Sequence, residues 1–313
     1  MRRTTYAPVA ITAAVTGGDV LPSQSPAIPY GVDAIVAEAV AASRAGASVI
    51  HLHAREADGR PTGSPQMFSE IVSGIREQVD AVISISTGGA PGMTPEERLA
   101  GAIATKPEMA TYNLGTMNYE GFPTPSRWPR VERDWERDVL RQTGNVVFTN
   151  TLAMLRDFAA AFKDIGATPE LEIYDLSHLG MARFLLDEGT IEPPVRLQFV
   201  LGVLGGAGRD LQDLMTLYEA ADRVLGDDLG VVGVAATGFP MQFRHAAAGF
   251  GLGLDVRVGL EDSLRVTRQD QAKSNSDLVE VAVRLAELLS RPLASPEQVR
   301  ADLGPWHTTR LSP

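Results

Sequence analysis

Short β-rich runs alternate with helical segments eight times along this chain, and that alternation limits the fold more than any other feature. The strand candidates are VAITAAVT (9–16), ASVIHLHA (47–54), AVISIST (81–87), EMATYNLGT (108–116), ELEIYDL (170–176), RLQFVLGV (196–203), GVVGVAATG (230–238) and DVRVGLED (255–262). Between them lie stretches such as VDAIVAEAVAASRAG, whose apolar residues recur at helical spacing and which stops at Gly46. A strand that returns through a helix pairs parallel with its neighbour. Eight such units in 313 residues predict a closed (β/α)8 barrel, the TIM-barrel fold, with a doubly wound open sheet as the alternative.

One run breaks the count. VVFTNT (146–151) also has strand character and follows the Pro-, Trp- and Arg-rich stretch GFPTPSRWPRVERDWERDVLRQTG. Both are assigned to an inserted connection, about 117–150, between the fourth and fifth barrel strands, where a long connection is often functional. From Arg291 onward, SPEQVRADL predicts a last helix and a polar tail, a C-terminal extension of one barrel domain spanning 1–313. The N-terminus, MRRTTYAPVAITAAVTGG, carries two arginines but no apolar run of helical length, so it reads as the approach to the first strand and not as a signal peptide. No stretch of about 18 apolar residues predicts a membrane span. The net charge of −11 repels phosphate backbones and argues against a nucleic-acid partner. The chain has no cysteine, which excludes disulfides, thiolate nucleophiles and cysteine metal ligands and fits a cytoplasmic location.

His51 and His53 stand two apart in VIHLHAR, so on a strand both imidazoles face the same side. They fall near the C-terminal end of the second strand, the end that forms the mouth of a barrel. Imidazole suits zinc and its neighbours. The pair is also compatible with two histidines hydrogen-bonded in a core, although it uses two of only five histidines in the chain. A catalytic zinc takes a third protein ligand and keeps one position open. Glu261 ends the last strand, with Arg257 and Gly259 on the same face. A carboxylate and a guanidinium at the mouth are costly unless paired or metal-bound, so a structural salt bridge is the competing reading. Other strand ends are polar too: Ser84 with Ser86, Thr111 with Asn113, Glu172 with Tyr174. Together they resemble a substrate site, and each alone is compatible with a loop or helix cap. FVLGVLGGAGRD is a glycine-rich turn after the sixth strand whose N–H groups suit a phosphate or thioester oxygen, or simply a turn.

Taken in order, VIHLHAR, ISTGG, KPEMATYNLGT, PELEIYD, QFVLGVLGG and VRVGLED resemble the β-keto acid cleavage enzymes, the group that includes 3-keto-5-aminohexanoate cleavage enzyme. The motifs cover about residues 11–300. The resemblance implies a TIM barrel, a bound Zn2+, and conversion of a β-keto acid and acetyl-CoA into acetoacetate and a new acyl-CoA. By position it implies His51, His53 and Glu261 as metal ligands, and Ser86, Thr111, Arg257 and Asp262 around the reacting groups, with Asp262 and Arg257 together abstracting a proton. Asn113, Glu172, Gln242, Gly205 and Gly206 fall at substrate positions, and a homotetramer is implied. Asp19, in AVTGGD, matches an acidic residue that faces the substrate amino group in the amino-hexanoate enzyme; an ordinary turn is the alternative. The chain departs from the family at Leu204, where a proline is usual, and at Gly253, Leu254 and Asp255, where Gly-Gly-His is usual. Arginine beside a carboxylate lowers its pKa, so Asp262 is expected to stay ionised.

Two other metal barrels compete. An amidohydrolase-type hydrolase uses His-x-His on the first strand with further histidines, and here only His178, His245 and His307 remain. A metal aldolase of the hydroxymethylglutaryl-CoA lyase type needs an acidic ligand on the first strand, and VAITAAVT has none. A binding protein with a vestigial site is the non-enzymatic alternative.

Overall fold

All eight runs form strands in the computed structural model, which describes residues 7–304 and Trp306. They are β1 (Ile11–Ala14), β2 (Val49–Leu52), β3 (Val82–Ile85), β4 (Met109–Asn113), β5 (Thr168–Ile173), β6 (Val195–Leu201), β7 (Leu229–Ala236) and β8 (Asp255–Val258). The N-terminal Met1–Tyr6 and the tail that carries His307 lie outside the described residues. Every strand pairs parallel with its sequence neighbour, and β1 pairs with both β2 and β8, so the sheet closes into a TIM barrel and the open-sheet alternative falls away.

Helices α1 (Val32–Arg44), α2 (Pro65–Arg76), α3 (Pro95–Thr105), α5 (Leu152–Ile165), α6 (Leu176–Asp187), α7 (Leu211–Leu225), α8 (Met241–Leu252) and α9 (Asn275–Leu288) follow successive strands, and α4 (Asp134–Gln142) lies within the insertion. Local signals set their starts. The side chains of Ser64, Thr94, Thr151 and Ser274 each accept a backbone N–H of the first turn, satisfying a donor that the helix cannot. Strand residues such as Ile50, Leu52, Ile83, Ile85, Tyr112 and Phe199 point outward and are buried against this ring. None of the described helices is long and apolar enough to cross a membrane.

The opposite strand faces fill the barrel. At the N-terminal end Val49, Val82 and Met109 pack with Ala294, Val299 and Leu303, so the predicted last helix, α10 (Pro296–Ala301), plugs the bottom. Thr168 Oγ1 donates to the Leu303 carbonyl, and Arg300 pairs with Asp80, fixing the plug. Above it the interior turns polar. Arg196 sits 3.2 Å from Glu170 and 2.7 Å from Asp255, an interior ion cluster that is tolerable only because its charges are paired.

The ninth run stays out of the barrel. Val147–Phe148 pairs antiparallel with Met117–Asn118, closing the 117–150 connection into a ribbon beside the mouth. Arg98 ties the ribbon down. Its guanidinium donates to the carbonyls of Thr87 and Thr149 and to Asn150 Oδ1, and it lies against the Phe148 and Phe158 rings.

Candidate active site

The period of two along β2 decides which side chains meet at the mouth. Leu52 faces the helices, so His51 and the next inward residue, His53, face the barrel axis. Glu261 reaches them from the turn after β8. That turn depends on Gly259, which has φ 154°, and whose Cβ, were it present, would stand 2.1 Å from the Ala14 carbonyl oxygen. Glu261 then crosses over Gly17, where a Cβ would lie 2.6 Å from Glu261 Cγ. Bare backbone after β1 is what allows the last strand's carboxylate to reach the second strand's histidines.

Glu261 Oε2 lies 3.5 Å from His51 Nε2, and Oε1 lies 3.5 Å from His53 Nε2. These separations are long for hydrogen bonds. They suit ligands of one ion, since two ligands about 2.1 Å from a tetrahedral metal stand roughly 3.4 Å apart. Glu261 Oε2 is buried without a hydrogen-bond partner. Among the described residues this is the group of three donors close enough to hold an ion. His178 and His245 are elsewhere, the first accepting the Tyr174 N–H and the second beside the Met241 carbonyl.

Electrostatics favour a cation here. Burial pushes the His51 imidazole down to about 3, more than Glu261 raises it, so the ring is neutral, as a metal ligand must be. His51 Nδ1 stands 3.3 Å from Ser84 Oγ, which orients the ring and leaves Nε2 for the centre. Three carboxyl groups share the Arg257 guanidinium: Glu261 at 2.8 Å, Asp262 at 2.9 Å and Glu172 at 3.5 Å. Burial works against ionising Glu261, but Arg257 and the two imidazoles overcome it and hold that carboxyl below its ordinary value. Asp262 differs from expectation. Arg257 grips it through Nε and Nη2, both at 2.9 Å, yet burial and the Glu261 charge outweigh that grip and place its pKa above the ordinary value. Burial likewise pushes Glu172 up to about 8, against the pull of Arg257.

A cavity of about 360 Å³ opens over these donors, bordered by Asp19, Ser86, Asn113, Tyr119, Phe148 and Glu172 among others. Both polar atoms of the buried Asn113 amide lack a partner, and Ser86 Oγ accepts the Gly88 N–H, which leaves its own proton free to be donated. Asp19 Oδ2 accepts a 2.6 Å hydrogen bond from Tyr119 Oη, so Asp19 faces the cavity and not bulk solvent. Thr111, Gln242, Gly205 and Gly206, all named from the sequence, do not line this cavity. Thr111 Oγ1 accepts the Thr87 N–H and its carbonyl accepts the Thr87 hydroxyl, shaping the loop that carries Ser86. Gln242 Nε2 donates to the Gly259 carbonyl, steadying the turn before Glu261. Gly205 and Gly206 pack bare backbone on Asn118 and Tyr174, with the Gly206 N–H already bonded to the Val203 carbonyl. Tyr119 and Phe148 were not singled out from the sequence because their parts depend on how the insertion folds, and its aromatic content was their one signal. Ser84, read as a strand-end polar residue or a cap, lies beside the His51 ring.

Comparison with known proteins agrees with this architecture. The family model for the beta-keto acid cleavage enzyme matches residues 8–304. The chain is 39% identical to a 3-keto-5-aminohexanoate cleavage enzyme of Acetoanaerobium sticklandii, over 94% of this chain and 97% of that one. It is 38% identical to a 3,5-dioxohexanoate:acetyl-CoA acetone transferase of Paraburkholderia graminis, covering 93% and 94%. The solved apo structure of ObcA superposes with a TM-score of 0.68 at 20% identity, over 90% of this chain and 66% of that longer one, a likeness of fold alone. With a match that runs from before β1 to the end of the barrel plug, the chain belongs to the β-keto acid cleavage enzyme family.

Proposed function

We propose that this protein is a zinc enzyme that transfers the acyl group of a β-keto acid to coenzyme A. It consumes acetyl-CoA and releases acetoacetate and the new acyl-CoA. One observation carries the proposal above the others: the donors of His51, His53 and Glu261 converge beside a buried Arg257–Asp262 pair, under a cavity lined by the unpartnered Asn113 amide. When bound to His51, His53 and Glu261, the ion supplies a Lewis acid for the keto and carboxylate oxygens of the substrate.

The chain's own groups do the rest. Asp262, ionised and aimed by Arg257, takes a proton from the carbon between the two carbonyls, and its raised pKa makes it the stronger base. That carbon attacks the acetyl thioester and expels the coenzyme A thiolate. The thiolate then attacks the original keto carbon, the carbon–carbon bond breaks to give the new acyl-CoA, and the released enolate takes the proton back from Asp262 and leaves as acetoacetate. Asn113 and Ser86 can donate to the substrate carboxylate, and Glu172, protonated at neutral pH, adds a further donor. No cysteine is needed, because the thiol belongs to coenzyme A.

The test is a panel of β-keto acids incubated with acetyl-CoA, with new acyl-CoA species read by mass. Turnover of a β-keto acid without acetyl-CoA would favour the aldolase, and turnover of amides or lactones alone would favour the hydrolase.

Within that reaction we assign Asp19 to the distal end of the substrate. Its carboxylate borders the cavity and keeps one oxygen beyond the Tyr119 bond. A carboxylate in a closed pocket attracts a cation and repels an anion. Wild type is expected to favour β-keto acids with an amino or alkyl end over those with a second carboxylate. Asp19→Asn should lower kcat/KM for the amino substrate by roughly tenfold and narrow the gap to the dicarboxylate, as one charge-assisted contact is lost. Matched kinetic profiles for the two proteins decide this: a wild type that favours the dicarboxylate, or an unchanged gap between the substrates in Asp19→Asn, would remove Asp19 from selectivity.

A further inference from the structure

The mouth has a second, larger opening. A cleft of about 1000 Å³ runs outward from Glu261 and Asp262, between the insertion and the loops after β6 and β8. The chain as a whole is acidic, with 39 Asp and Glu against 28 Lys and Arg, yet this cleft gathers five arginines: Arg127, Arg130, Arg209, Arg265 and Arg268. They come from three separate connections. Several arginines elsewhere on the surface are neutralised, as Arg156 is by Glu188, Arg183 by Asp187 and Asp228, and Arg300 by Asp80. The side chains of Arg127, Arg130, Arg209 and Arg268 make no ion pair or hydrogen bond among the described residues. Arg265 spends one nitrogen on the Arg268 carbonyl, which shapes the loop that presents Arg268.

Of the carboxylates along the cleft, Glu261 and Asp262 pair with Arg257, while Asp19 accepts from Tyr119 and Glu120 from Thr143 and the Phe122 N–H. None of them forms an ion pair with the five cleft arginines, whose guanidinium groups stay available to an anion. The cleft walls also include Phe122, Pro129, Val203, Leu204 and Phe239. Leu204, which stands where the family usually has proline, is 57% exposed here. The cleft thus combines three chemistries: reactive carboxylates, apolar walls and a set of arginines.

We propose that these arginines bind the phosphate groups of the thioester carrier, so that coenzyme A lies along the cleft with its nucleotide on Arg130, Arg209 and Arg268 and its arm reaching Asp262. Guanidinium is suited to phosphate by its planar donor fork, and each contact is charge-assisted. The assignment rests on the proposed use of acetyl-CoA and adds where the carrier binds and which residues select for its phosphates. It moves the phosphate contacts away from the glycine-rich turn, whose Gly206 N–H is already bonded.

The experiment uses the full-length, metal-loaded protein and its triple variant Arg130→Gln, Arg209→Gln, Arg268→Gln. Free coenzyme A is titrated by calorimetry at low and at raised salt, and kcat/KM is measured for acetyl-CoA and for acetylpantetheine, which lacks the phosphates. Wild type should bind coenzyme A more weakly as salt rises. The triple variant should bind about a hundredfold more weakly, and its preference for acetyl-CoA over acetylpantetheine should shrink by a similar factor. All three residues are exposed, and should the triple variant misfold, Arg209→Gln and Arg268→Gln tested singly should each cost about tenfold. Unchanged affinity and preference in the variants overturn the proposal while leaving the reaction intact. Coenzyme A binding that depends on these arginines, without turnover of any β-keto acid, would support the cleft and sink the reaction. A wild type that does not bind coenzyme A overturns the cleft assignment.

Discussion

Replacing His51 with alanine is expected to strip the protein of metal and abolish turnover together. His51 is 1% exposed, and its Nε2 is one of three donors that converge at the mouth. Two remaining ligands rarely hold zinc against water, and even the loss of an outer hydrogen bond commonly costs ten- to a hundredfold in metal affinity. Removal of a ligand should therefore exceed about a hundredfold, and His53→Ala should behave alike. Metal analysis by mass spectrometry beside a turnover assay reads both effects. A His51→Ala protein that keeps stoichiometric metal and full activity would show that the three donors are only a buried polar cluster.

Asp262→Asn is expected to separate chemistry from metal binding. The amide keeps the shape of the carboxylate and one acceptor for Arg257, but it cannot take a proton. We expect retained zinc, a KM within a few-fold of wild type, and a kcat lower by about 10²–10⁴, the usual share of a positioned general base. The sign of the pH dependence follows from the same group. A base works only when ionised, and burial raises the Asp262 pKa, so wild-type kcat/KM should fall with decreasing pH above the usual carboxylate range near ~4. Flattening of that acid limb in Asp262→Asn would confirm the role. Loss of metal in Asp262→Asn, with Glu261 intact, would mean that the roles of the two neighbouring carboxylates are reversed.

The barrel was legible because its signal is local. Strand runs such as VIHLHAR and VRVGLED combine β-branched residues with a period of two, and that period also places His51 with His53 and Arg257 with Gly259. The site's outer parts were less legible, because they depend on distances the sequence does not carry. Asp19 and Tyr119 are 100 residues apart, and nothing near either names the other. Ser84 reads as a cap, yet it lies beside His51 because β2 and β3 pair in register at those two residues. The pKa of Asp262 follows Arg257 in the sequence but burial in the fold. Gly205 and Gly206 suggest an anion cradle, whereas the structure uses their missing side chains for close packing against Asn118 and Tyr174.

The passage of Glu261 over Gly17 has a consequence for assembly. β1 is made first and β8 last among the strands, and the two meet only when the sheet closes, with Thr12 opposite Arg257. The three donors straddle that seam, two on the strand just beyond β1 and one just past β8. Until β8 has joined β1, Glu261 is not held beside the two histidines, however many of the other strands have paired. Such a long-range closure is slow by nature, because most of the chain must be ordered before the contact forms. A ligand that binds these three donors only when the seam is joined would pull the equilibrium toward the closed form, like a clasp on a bracelet.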